Sequence, residues 1–361
     1  MMPKNVLGIV YSNSFDASLD ALTARRTMGS VPFGGRYRLI DFPLSNLVNC
    51  GVTKVGVIAN SNFLSLMDHV GSGRPWDLSR KVDGLTMLPP FTPAAADSNN
   101  RIDSLNRIME FISDAKQEYV LLMDSNFVCN MDCSKLFDFH SKKNADITIA
   151  YCNGDVPTLP NQAVLDVNED AKVTNIGIDV KTSSDVNYSA NIILIRKALL
   201  ERLINDAISL NYKDFETDLI QGNVGKLNIY GYEAKGYSAV IESLQSYYNV
   251  NMELLNPENC DDLFNRERPV YTKVRDDMPA IYGVCSDTSD SLIADGCIIK
   301  GTVENCVLAR GVYIAEGAVV KNSIIMQDCY ISANAKINCA ILDIYIGEKL
   351  FISPVISRDF K

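Results

Sequence analysis

Beyond Ser291, aliphatic residues recur six positions apart: Ile293 and Ile299, Ile314 and Val320, Ile331 and Ile337, Ile346 and Ile352, with small or turn-forming residues between them. Few folds accept that spacing. Tandem hexads are the signature of a parallel β-helix, in which each aliphatic side chain points into a prism core and each coil stacks on the next. Residues 291–361 are therefore expected to form a left-handed parallel β-helix.

The rest of the chain has a different texture. Short β-branched runs at 5–11, 54–59, 119–124, 145–151 and 191–195 alternate with segments of helical period at 44–50, 101–113, 133–143, 197–210 and 243–255. Alternation of this kind predicts an α/β domain over 1–255, a doubly wound, mostly parallel, Rossmann-like sheet with helices on both faces. Ligands of such sheets bind beyond the carboxyl ends of the strands, so the loops after Tyr11 and Asp124 are where chemistry is expected. Residues 256–290, with Pro257, Pro269, Pro279 and weak periodicity, read as a linker.

Charge and cysteine usage exclude several functions. With 34 Lys+Arg against 44 Asp+Glu the net charge is -10, the wrong sign for a nucleic-acid or anionic-membrane binder. No apolar run is long enough to cross a membrane and the first residues lack a signal-peptide pattern, so a soluble, cytoplasmic protein is expected. Ten cysteines without a Cys-x-x-Cys pair, and only His69 and His140, predict reduced, packed thiols and no zinc site.

The stretch Pro32-Phe-Gly-Gly-Arg-Tyr-Arg-Leu-Ile-Asp-Phe-Pro-Leu-Ser-Asn46 resembles the most distinctive motif of ADP-glucose pyrophosphorylases, the glucose-1-phosphate adenylyltransferases of glycogen synthesis. The resemblance continues through Trp76-Asp-Leu-Ser-Arg80, Leu88-Pro-Pro-Phe91, Asn144-Ala-Asp-Ile-Thr-Ile149, Asp214-Phe215 and Tyr247-Tyr-Asn-Val-Asn-Met-Glu-Leu254, in order along the chain. It implies glucose 1-phosphate plus ATP giving ADP-glucose and pyrophosphate. Such a transfer is mostly positioning and charge neutralisation, which requires backbone amides, cations and a divalent ion around the phosphates.

Measured against that pattern, the phosphate and metal groups are missing. The family's Gly-Gly-x-Gly-x-Arg loop falls on Asn13, Ser14, Asp16 and Ser18, without a glycine and without the cation. Its phosphate-neutralising lysine falls on Met28. Its two metal carboxylates fall on Asn126 and Val240, and a valine offers magnesium no oxygen. Asp124, two residues from the first of these, is a poor substitute, because that step along a strand moves a group about 6 to 7 Å. On the sugar side Ser189, Asp214 and Phe215 match, whereas the family's Glu-Lys-Pro has no counterpart near 177–180.

The arginines are kept. Arg25, Arg26 and Arg38 match positions that bind phosphorylated sugar activators in bacterial relatives, and guanidinium pairs bidentately with phosphate. Lost catalytic groups beside an intact arginine segment resemble the GlgD-type regulatory subunit. That resemblance implies a chain with no retained cofactor and little or no turnover of its own. It also implies a catalytic partner subunit that carries the magnesium, within a hetero-tetramer answering to a phosphorylated sugar effector. One alternative is a competent adenylyltransferase with substituted metal and phosphate groups. A remoter one is a β-helix acyltransferase, which would need a His base near the coils, far from His140.

Overall fold

The computed structural model describes residues 3–90, 100–180 and 185–343. Phe91 of the family-like motifs and the last hexad, Ile346 and Ile352, lie outside the described residues.

The strand Val6–Tyr11 is the centre of a nine-stranded sheet. Lys54–Ile58 and then Gly84–Leu88 lie parallel on one side, and Tyr119–Asp124 lies parallel on the other. Beyond it the long strand Val186–Arg196 runs antiparallel to Tyr119–Asp124, to Ile147–Gly154 and, through one pair, to Ala163–Val167. The sheet is mixed: the long strand reverses direction beside the parallel strands and carries a branch of further strands on its far edge.

The helices cover both faces, as alternation requires. Val6 and Val10 point to a core that includes Leu44 and Leu47 of Asp41–Asn49, Leu66 of Leu64–Val70 and Phe137 of Cys133–Lys143. Leu7, Ile9 and Tyr11 point the other way, to Ile102 and Leu105 of Arg101–Arg107 and to Leu200 and Leu203 of Lys197–Leu210. This period of two along a central strand is what a sheet buried on both faces produces. The expected helix over 101–113 is instead two short helices, Arg101–Arg107 and Met109–Ser113, meeting at Ile108, whose φ of -101° and ψ of 13° leave the helical region. The segment read as a linker contains the helix Pro257–Leu263, started by the side chain of Asn256 accepting the Glu258 N–H at 3.1 Å.

The hexads form stacked parallel strands. Ile299, Ile314 and Ile331 make one inward column, Val303, Val320 and Ile337 a second, Leu308, Ile325 and Leu342 a third. The first strand of the prism, Ile281–Tyr282, already pairs with Ile298–Ile299 ahead of residue 291.

One outer face of the prism is covered by the α/β domain. Val307, Ile324 and Ile341 share a core with Phe33, Phe42, Tyr247 and Leu254. The Tyr247 hydroxyl donates to the Pro32 carbonyl at 2.6 Å and that of Tyr248 to the Asn322 carbonyl at 2.7 Å. The turn between Pro32–Phe33 and Tyr37–Arg38 takes positive φ at Gly34 and Gly35, and a Cβ at Gly35 would stand 2.9 Å from the Leu308 carbonyl oxygen. Gly35 is therefore needed both for its backbone angle and for close contact between domains. The two histidines are structural here, His69 Nε2 lying 2.6 Å from Asp41 and His140 Nδ1 lying 2.7 Å from the Thr148 hydroxyl. All ten cysteines are free thiols, and no helix among the described residues is long and apolar enough to cross a membrane.

Candidate functional site

A cleft of about 380 Å³ opens at the carboxyl ends of Val6–Tyr11 and Lys54–Ile58, lined by the loop after Tyr11, one of the two loops to which the alternation points. Its floor is built from the loop that follows the first strand. Asn13, buried, accepts the Asn60 N–H at 2.7 Å and donates to the Asp16 carboxylate at 2.6 Å. The other Asp16 oxygen accepts the Met28 N–H at 2.7 Å. The loop is thereby closed on itself by side chains, and the Asp16 carboxyl is pushed up to about 7 by burial, against the pull of those two hydrogen bonds. Ser18 sits in the short turn Asp16–Leu19, and Met28 is wholly buried in the interdomain core.

Arg101 dominates the deeper part. It begins the helix Arg101–Arg107, where the helix dipole disfavours a cation. Two carboxylates compensate: Nη2 donates to Asp124 at 2.6 Å, and Nη1 lies 3.0 Å from Glu216 as an ion pair without a hydrogen bond. The guanidinium also lies over the Tyr11 ring at 4.8 Å and the Phe215 ring at 5.5 Å. Burial alone would lower its pKa, but Asp124 and Glu216 outweigh burial and raise it, so the guanidinium stays charged. Asp124 also accepts the Ser14 hydroxyl at 3.0 Å, so each of its carboxylate oxygens has a protein donor.

The two positions that the resemblance assigns to the metal are brought together. Val240 pairs with Phe127, the neighbour of Asn126, and the Ile241 N–H donates to the Asn126 carbonyl at 2.8 Å. Asn126 is buried, its Nδ2 donates to the Ile241 carbonyl at 3.4 Å, and its side-chain oxygen has no hydrogen-bond partner. Among the described residues no group of three or more His, Cys, Asp or Glu is arranged to hold a metal ion.

On the sugar side Asp214 lines the cleft, bonded by the Asn161 amide, and burial raises its carboxyl pKa. Phe215 lies beneath it in the core. Ser189 is buried below the cleft, its hydroxyl accepting the Asn191 N–H at 3.1 Å. The arginines lie elsewhere. Arg26 is buried at the domain junction and ion-paired with Asp343 of the β-helix. Arg38 donates to the hydroxyl of Ser65 at 2.8 Å and to its carbonyl at 2.9 Å, and Arg25 is exposed. Arg101, Glu216, Asn191 and Asp343 are the groups that motif reading passes over. Only Asn100, whose side chain caps the helix by accepting the Ile102 N–H at 2.8 Å, gave a local signal for where Arg101 stands.

A nucleotide-type cleft on an α/β domain, joined to a hexapeptide-repeat prism, defines a sugar nucleotidyltransferase architecture. Comparison with known proteins agrees, since residues 18–176 match the nucleotidyl transferase family and residues 281–352 match the GlmU-like C-terminal hexapeptide family. The chain is 33% identical to the glycogen biosynthesis protein GlgD of Bacillus subtilis over 89% of its own length and 84% of that protein. It is 31% identical to a glucose-1-phosphate adenylyltransferase of Clostridium perfringens strain SM101, covering 91% and 86% of the two chains. With the corresponding protein of Thermosipho africanus the figures are 32%, 88% and 78%. The chain belongs to the family of glucose-1-phosphate adenylyltransferases and GlgD proteins of glycogen synthesis.

Proposed function

We propose that this chain is a regulatory subunit of a glucose-1-phosphate adenylyltransferase and does not itself catalyse the transfer. The observation that carries the reading is the clamp of Arg101 between Asp124 and Glu216. It ion-pairs the buried guanidinium of the cleft with protein carboxylates, and it engages Asp124, the remaining candidate for a metal carboxylate, with a cation. The metal positions do not fit magnesium either, because Val240 supplies no oxygen and Asn126 is neutral. In the loop after the first strand, Asp16 stands bonded to Met28 where a triphosphate would need donors.

The catalytic partner supplies the magnesium site and the turnover, and the two kinds of chain form a hetero-tetramer in the cytoplasm. A phosphorylated sugar effector acts at the junction marked by Arg25, Arg26 and Arg38. Arg26 supports that placement by bridging to the β-helix, so an anion competing for its guanidinium would alter how the domains hold together.

The test is an assay of ADP-glucose formation by the purified chain, by a catalytic relative from the same organism, and by the mixture. Turnover is expected only where the relative is present, with a changed effector response in the mixture. Catalytic-level turnover by this chain alone would overturn the proposal and restore the competent-transferase alternative.

A further inference from the structure

We infer that the chain pairs with a second copy of itself through one side face of the β-helix, the face carrying Ile281, Ile298, Tyr313 and Tyr330, with the two prism axes antiparallel. The inference goes beyond the regulatory reading, which says which kinds of chain assemble but not by which surfaces.

The first argument is the contrast between the three faces of the prism. Each is a four-stranded parallel sheet whose residues alternate between inside and outside. On the face held by the α/β domain the outward positions are Leu292, Val307, Ile324 and Ile341, all aliphatic. On a second face they include Asp287, Glu304, Lys321 and Lys336, with Glu304 and Lys321 ion-paired from coil to coil, as suits water. The third face is built from Ile281–Tyr282, Ile298–Ile299, Tyr313–Ile314 and Tyr330–Ile331. Ile299, Ile314 and Ile331 fill the core, so Ile281, Ile298, Tyr313 and Tyr330 point outward. This face is as apolar as the covered one, yet Ile281 is 49% exposed and Tyr330 50%. The Tyr313 and Tyr330 rings stack at 4.8 Å and 7°, which makes the column a flat stripe. Apolar exposure continues on the first coil through Tyr282 and Val284. Contiguous apolar surface of this kind marks a protein contact.

The second argument, from charge, selects the occupant. The residues that follow the strands on this face are Gly283, Lys300, Ala315 and Ser332, and Lys300 Nζ lies over the Tyr313 ring at 5.7 Å. Glu316, next to Ala315, is exposed at the edge of the same face. A two-fold axis along the strands sets the first coil against the fourth and the second against the third, each position facing its own counterpart. Apolar column then meets apolar column. Lys300 of one copy faces Ala315 and the adjoining Glu316 carboxylate of the other, and symmetry repeats the contact. A two-fold axis along the prism would instead bring the two Lys300 side chains together. The face is thus complementary to itself in one orientation, as an isologous contact requires.

Sedimentation equilibrium of the purified full chain tests this, and a dimer is expected. Ile281→Glu and Tyr330→Glu should each raise its dissociation constant by about tenfold or more, since each puts a charge into the apolar column. Lys336→Glu, on the polar face, should leave it unchanged. Lys300→Glu should weaken the dimer, and adding Glu316→Lys should restore it, with melting curves confirming that every variant folds. A chain that stays monomeric, a dimer indifferent to both Ile281→Glu and Tyr330→Glu, or a charge swap that fails to restore association overturns the inference. So do variants that keep the homodimer but no longer bind the catalytic relative, which would assign the face to that subunit. The measurement needs only this chain, so its failure leaves the regulatory reading standing, and turnover by this chain alone leaves the dimer standing.

Discussion

Arg26 of the α/β domain is ion-paired with Asp343 of the β-helix, and its side chain is only 6% exposed. The pair closes a junction whose apolar part runs from Phe33 and Tyr247 to Val307 and Ile324. A buried charge that loses its partner is costly, so Arg26→Ala should destabilise the chain by about 2 to 4 kcal/mol, with Asp343, 22% exposed, relaxing into water better than Arg26 can. Replacing both residues by apolar ones should cost less than Arg26→Ala alone. Urea denaturation of the two variants beside the unchanged chain checks this.

Arg101→Met should be the more damaging change, about 3 to 5 kcal/mol, because it leaves Asp124 and Glu216 buried together without a cation. Adding Asp124→Asn and Glu216→Gln to it should recover much of the loss. A triple variant no more stable than Arg101→Met would show that the clamp is not what holds the cleft.

Gly35→Ala forces a Cβ to within 2.9 Å of the Leu308 carbonyl oxygen at a φ of 73°. Strain and contact together should cost about 1 to 3 kcal/mol. Gly34→Ala, whose nearest neighbour would be a flexible Leu254 methyl at 3.3 Å, should cost less. Thermal melting of the two variants ranks them.

Asp16 gives a pH dependence of definite sign. Its carboxyl titrates near 7 in the folded chain, against about 3.9 when unfolded. Between those values the folded state binds more protons, so this group's contribution to stability is full below about pH 4 and declines as pH rises to about 7. In Asp16→Asn that decline should vanish. The difference between the two stability curves over pH 4 to 8 isolates it from the other carboxylates.

His140 acts in the opposite direction. Burial, with a smaller effect from Arg196, lowers its pKa to about 4, while the unfolded value is about 6.5. The unfolded state binds the extra proton over that window, so this contribution to stability is lost as pH falls from about 6.5 to 4. His140→Phe should remove that loss, at the expense of the hydrogen bond to Thr148.

Local pattern carried much of the architecture. The helices Cys133–Lys143 and Lys197–Leu210 coincide with their periodic segments, because an amphipathic stripe and a helical period are properties of neighbouring residues. The hexads likewise specify a prism, since each coil repeats the last. The strand–helix alternation pointed to the loop that lines the cleft, and the family resemblance assigned Asn126 and Val240 to the metal positions. What local pattern does not contain is partner choice. Arg101 and Asp124 are 23 residues apart and Arg26 and Asp343 are 317 apart. Nothing in the spacing of either pair distinguishes a free anion-binding arginine from one already bonded. The reversal of Val186–Arg196, the bulge that turns Asn191 toward the cleft and the covering of one prism face by Tyr247 are likewise set by packing between distant segments. Sequence by itself determined many of the elements and roughly where ligands would approach. Tertiary structure alone decided which charges remained available to meet them, because burial and pairing are relations between residues that only the folded chain brings together.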